Sequence, residues 1–98
     1  MSYSLVIKPL AEKDIAETYK WYNQEQEGLG DTFLDQLERS LEFIKKTPAP
    51  YQIRFKDVRM VKVNRFPICI HYTIEENTVF VHAALSTSRD PQLWKKWT

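Results

Sequence analysis

The sequence predicts an α+β domain of two layers, in which an antiparallel helical hairpin packs on one face of a mostly antiparallel sheet of four to five strands. Three observations carry that expectation. Apolar residues recur at helical spacing between about Ala11 and Ile44. They alternate at every second position in several runs from Tyr51 to Leu85. A short alternating run precedes them all at Tyr3–Lys8. These two spacings are the side-chain periods of a helix and of a strand with one buried face. A strand, two helices and a series of hairpin-linked strands bury their apolar faces best as helices on a sheet.

One domain spanning residues 1–98 is expected, because a chain of this length supports one modest core. A hydrophobic fraction of 43% with only two glycines argues against disorder. The single Cys69 excludes an internal disulfide and reads as a small buried hydrophobe in mid-strand. No apolar run approaches the roughly 20 residues that span a bilayer, and residues 1–10 lack the layout of a signal peptide. A cytoplasmic location with no membrane partner is therefore expected.

Taken in order, Tyr3, Leu5 and Ile7 share one side of a short first strand that Pro9 ends. From about Ala11, Ile15, Tyr19 and Tyr22 mark one face of a first helix reaching about Glu27, with Glu12, Asp14 and Glu17 suited to its positive N-terminal end. Gly28-Leu29-Gly30 supplies the left-handed backbone that closes this helix, and Asp31 helps cap the next. The second helix is marked by Leu29, Phe33, Leu34, Leu37, Leu41 and Ile44 and stops at Thr47-Pro48-Ala49-Pro50. So short a link makes the two helices a hairpin.

Tyr51, Ile53 and Phe55 give a second strand that turns at Lys56-Asp57. The stretch from Val58 to Ile74 reads as two further strands bent near Asn64-Arg65, since Pro67 suits a strand start and Phe66, Ile68, Ile70, Tyr72 and Ile74 alternate strictly. Glu75-Glu76-Asn77 is a polar turn in which Asn77 is suited to positive φ, and Val79, Val81, Ala83 and Leu85 form the last strand. Pro91 then opens a short C-terminal helix carrying Trp94 and Trp97. These tryptophans are expected to anchor that helix rather than to stack on bases. The second face of the sheet is expected to be open and to be a partner site.

The net charge of +1 divides unevenly: residues 1–50 carry −3 and residues 51–98 carry +4. The basic half suits a surface that meets something anionic, although +4 is weak for a dedicated nucleic-acid binder. No metal-ligand spacing, glycine-rich phosphate loop or nucleophile elbow is present, so no cofactor and no metal are expected.

Ala16 through Tyr22, Gly28-Leu29-Gly30 with Phe33, Pro48 with Tyr51, Arg59, Arg65-Phe66-Pro67 with Tyr72, and Arg89-Asp90-Pro91 with Trp94 together resemble the RelE/ParE superfamily of bacterial toxins. The resemblance spans nearly the whole chain and is nearer to the ParE-like branch, the plasmid stabilisation proteins. It implies the toxin of a type II toxin-antitoxin module, neutralised by a cognate antitoxin in a hetero-oligomer. It also implies one of two targets, DNA gyrase or the messenger RNA on a ribosome. Two departures are visible. Ser86 stands where many relatives carry a histidine ahead of the Arg-x-Pro segment, and the chain ends at Thr98 without the terminal Tyr or His of some RNA-cleaving relatives.

Metal-free RNA cleavage needs a base, an acid and cations around the crowded phosphate. Arg59, Arg65 and Arg89 are the candidate cations, and Tyr72, His71 and His82 the candidate proton carriers. The competing role for Arg59 and Arg89 is a salt bridge with Asp57 or Asp90; for the histidines it is packing. Simple alternation sets His71 on the face opposite Tyr72. A non-enzymatic poison that binds a protein needs only a shaped surface, and the missing histidine and mild charge favour it over a ribonuclease; a relative that binds its antitoxin without being toxic is the third reading.

Overall fold

The computed structural model describes residues 3–48, 53–55 and 57–86. Strand β1 (Ser4–Ile7) leads into helices α1 (Pro9–Glu25) and α2 (Leu29–Lys46), followed by β2 (Ile53–Phe55), β3 (Val58–Lys62), β4 (Ile68–Glu75) and β5 (Thr78–Ser86). The five strands form one sheet in the order β1-β5-β4-β3-β2. All pairs are antiparallel except β1 with β5, which run parallel with Ser4 opposite Thr78 and Ile7 opposite Val81. The two-layer α+β architecture thus stands as the sequence implies it. The expected C-terminal helix, with Arg89, Pro91, Trp94 and Trp97, lies outside the described residues, as does Tyr51.

Pro9 begins α1 instead of merely ending β1. Its ring fixes φ near the helical value, and its missing N–H is one that a first helical turn leaves unbonded anyway. Gly28 takes φ +84, between a first helix that stops at Glu25 and a second that starts at Leu29. No side chain caps α2; Asp31 sits in its first turn and accepts the Tyr19 hydroxyl at 3.2 Å. Gly30 has a different reason to be glycine. A Cβ there would stand 2.6 Å from the Tyr19 carbonyl oxygen and 2.7 Å from Asn23 Cγ, while its N–H donates to Asn23 Oδ1 at 2.7 Å. The helices meet backbone to backbone at this point.

The core lies between the hairpin and one sheet face. Phe33, Leu37, Leu41 and Ile44 of α2 and Tyr22 of α1 pack with Ile68, Ile70 and Tyr72 of β4 and Val79, Val81 and Ala84 of β5. Tyr22, Phe33 and Phe66 form an aromatic triangle with ring centroids 4.9 to 5.7 Å apart. It ties both helices to the β3–β4 turn. Phe66 is buried as expected but belongs to that turn, β4 starting only at Ile68, because Arg65 turns the chain at φ 75. In the β4–β5 turn the positive φ falls on Glu76 (54°), not on Asn77.

Two further expectations are corrected. Across β4 and β5, His71 pairs with Ala83 but Tyr72 pairs with Val81, leaving His82 as the extra residue of a β-bulge. The bulge shifts the alternation, so that Ala84 rather than Ala83 and Leu85 joins Val79 and Val81 in the core. The second face is also not open over β4 and β5: Cys69, His71, Thr73, Ala83 and Leu85 are all buried. A central strand with a nearly unbroken apolar run is buried on both sides.

Candidate functional site

Register builds the site. Arg59 of β3 stands directly opposite Tyr72 of β4, and opposed residues of an antiparallel pair share a face, so both point to the helix side. Tyr72 is fully buried, and its hydroxyl donates to the Pro48 carbonyl oxygen at 2.7 Å. The ring therefore fills the core while its polar tip fastens the chain just beyond α2. Arg59 is partly exposed.

Arg65 is not beside it. Lys62 is three residue steps along the strand from Arg59, roughly 10 Å of backbone, and Arg65 lies further on in the turn, exposed. The described structure thus brings Arg59 to Tyr72 but sets Arg65 apart from both; Arg89 lies outside the described residues. Lys62 adds a cation between them, its Nζ donating to the Val63 carbonyl at 3.2 Å.

The histidines take the other face, His71 opposite Tyr72's side as alternation requires. Met60 and Ala83 flank His71 across the two ladders. Burial, and secondarily the neighbouring His82, holds its pKa down at about 4, so it is a neutral imidazole at pH 7. His82 is partly buried on the bulge, with Nε2 2.8 Å from Thr73 Oγ1. Burial and the nearby Lys8 lower its pKa against the opposing pull of Asp57 and Glu75.

Other features of the site are not visible in the sequence expectation. Asp14 of α1 accepts the Ala84 N–H at 3.1 Å, at the level where β1 has already ended and β5 has lost its partner on that side. Nothing local in the sequence marks a pairing so distant. Around it a cleft of about 390 Å3 runs between α1 and the ends of β4 and β5, with Glu17, Trp21, Pro67 and Ser86 on its walls. Trp21 is 56% exposed there. The bulge did leave a trace, since Ala83-Ala84-Leu85 is apolar at three consecutive positions and so fits either phase. Among the described residues no group of three His, Cys, Asp or Glu is placed to hold a metal, and no described helix is long and apolar enough to cross a membrane.

The fold, a helical hairpin laid across one side of a five-stranded sheet with the N-terminal strand parallel to the last, is one shared with solved toxin structures. Three solved structures are similar to it. The chromosomal ParDE toxin-antitoxin system from P. aeruginosa aligns with a TM-score of 0.77 at 12% identity, covering 87% of this chain and 96% of that one. A mutant of the E. coli toxin RelE in the free state aligns at 0.72 and 19% identity over 97% and 93%. The intact E. coli RelBE toxin-antitoxin complex aligns at 0.68 and 22% identity over 90% and 100%. At such identities these likenesses speak for the fold. No curated protein sequence matches the chain significantly. The family is set by the sequence itself: the model of the ParE toxin of type II toxin-antitoxin systems, parDE, matches residues 5–91, and the chain belongs to that family.

Proposed function

We propose that this toxin arrests growth by binding a cytoplasmic protein such as DNA gyrase, and that a cognate antitoxin holds it inactive in a hetero-oligomer. The observation that carries the choice of a binding poison over a ribonuclease is the Tyr72 hydroxyl, buried and donated to the Pro48 carbonyl. A general acid or base must reach the substrate proton it transfers. His71 is sealed and neutral, and the Nε2 of His82 is engaged by Thr73. Arg59 near the start of β3 and Arg65 in the turn beyond its end suit contacts spread over a protein surface, and Arg89 is the third cation of this reading. The antitoxin partner is supported by the neighbours from P. aeruginosa and E. coli, which are toxin-antitoxin systems.

The test is pulse-labelling of DNA and protein synthesis in the first minutes after this chain is induced without an antitoxin. DNA synthesis failing first is the expected result. Protein synthesis failing first would instead establish cleavage of ribosome-bound messenger RNA and return Arg59, Arg89 and Tyr72 to the centre of the chemistry.

A further inference from the structure

Between the C-terminal half of α2 and strand β3 runs a groove of about 490 Å3 whose walls include Arg39, Phe43, Met60, Val61, Lys62 and Asn64. Two of its lining residues are cations and none is a carboxylate. Phe43 stands outside the core stripe of α2 and is 63% exposed, more than any other large hydrophobic residue among those described. Asn64 Nδ2 donates to Gln36 Oε1 at 3.4 Å, which links the helix to the β3–β4 turn at one end of the groove.

Charge is divided across the Arg39–Phe43 ridge. Asp35, Glu38 and Glu42 lie on its far side, around a second hollow that also contains Lys46. Arg39 pairs with Asp35 at 3.2 Å, yet both side chains are largely exposed, and such a pair binds weakly enough to be exchanged. A guanidinium also has donors to spare beyond one such contact. An anionic ligand is therefore drawn to the β3 side and repelled from the other. Two cations are too few to track a nucleic-acid backbone, whose affinity is built from many phosphates. They suffice to orient one or two carboxylates flanking an apolar anchor.

We infer that this groove docks an acidic peptide segment of the cellular target, seating an apolar side chain between Phe43 and Val61 with flanking carboxylates on Arg39 and Lys62. The inference rests on the reading of the chain as a poison that works by binding a protein.

The experiment is a fluorescence-anisotropy titration of the purified chain with a labelled synthetic peptide, Glu-Asp-Glu-Leu-Phe-Glu-Asp-Glu, run against Phe43→Ser, Lys62→Glu and, on the opposite helix, Leu10→Ser. The expected result is saturable binding weakened about tenfold or more by each of the first two substitutions and unaltered by the third. Absence of saturable binding, equal binding by Phe43→Ser, or tighter binding of a single-stranded oligonucleotide overturns the assignment. Phe43 is exposed enough for its variant to fold, so this arm decides even where Lys62→Glu does not. Growth arrest by the same variants separates the two readings. Arrest undiminished in Phe43→Ser removes the groove as the target's dock while leaving the toxin reading intact. No arrest by the unsubstituted chain removes the poison reading, and the titration still decides whether the groove takes acidic peptide.

Discussion

Tyr72 and Pro48 are joined by a buried hydrogen bond of 2.7 Å that ties the middle of β4 to the chain leaving α2. Tyr72→Phe keeps the ring in the core and strands the Pro48 carbonyl, a loss of about 1–3 kcal/mol for a buried acceptor left without its donor. Chemical denaturation should show that loss, while growth arrest per folded molecule stays unchanged. Arg59→Ala, one position across the ladder, should do the reverse, relieving arrest with the unfolding midpoint nearly fixed. Arrest abolished by Tyr72→Phe at full stability would mean that the hydroxyl serves chemistry.

Asp14 is predicted to be the reason that β5 keeps its order beyond the end of β1. Its carboxylate accepts the Ala84 N–H at 3.1 Å. Asp14→Leu removes the acceptor and should cost about 1–3 kcal/mol. Amide hydrogen exchange locates the effect: Ala84 should lose protection by more than Val79, which lies where β1 still pairs. Equal protection at both would show that the carboxylate is incidental.

Gly30 and Gly28 should respond to alanine for different reasons. At Gly30 the new methyl meets the Tyr19 carbonyl, which is backbone and cannot swing away, so the helices must part, at about 1–3 kcal/mol. At Gly28 the methyl meets nothing within 4 Å and only the left-handed φ of +84 is strained, at about 1 kcal/mol. Thermal unfolding of the two variants should therefore rank Gly30→Ala as the more damaging. The opposite order would place the helices farther apart than they are here.

Stability should fall on mild acidification. His71 is neutral in the fold, burial holding its pKa down at about 4 against the ordinary 6.5 of an imidazole. Above pH 6.5 neither folded nor unfolded chain is protonated there, and the histidine imposes no penalty. Below 6.5 the unfolded chain gains a proton that the folded chain refuses until about pH 4, so stability is lost through that window, on the order of 1–2 kcal/mol by pH 5. His82, lowered in the same direction, adds to the loss. His71→Gln should flatten the curve of unfolding midpoint against pH between 7 and 5; an unaltered curve would mean that the acid response arises elsewhere.

Much of the fold was legible because its signals are local. The stripe of Phe33, Leu37, Leu41 and Ile44 and the alternation of Ile68, Ile70 and Tyr72 each follow from one element's own period, and all are in the core. The boundaries at Pro9 and Phe66 moved because proline suits a helix start as well as a strand end, and because a turn residue can be as buried as a strand residue. The bulge at His82 escaped because alternation is read along one strand, whereas a bulge exists only in the register between two. The same limit hid the site. That Arg59 faces Tyr72, or that α2 and β3 leave a cationic groove, depends on pairings that no single stretch contains.

The parallel pairing of β1 with β5 also constrains when the protein can exist during its own synthesis. The first strand made has as its sheet neighbour the last strand of the described chain, Ser4 lying opposite Thr78. Contacts so far apart in sequence form late and slowly. While the ribosome is still adding β4, the nascent chain has its helices but no strand on which to lay β1. A chain cut short before β5 has no strand for β1 to join, so the sheet closes on that side only once β5 is available.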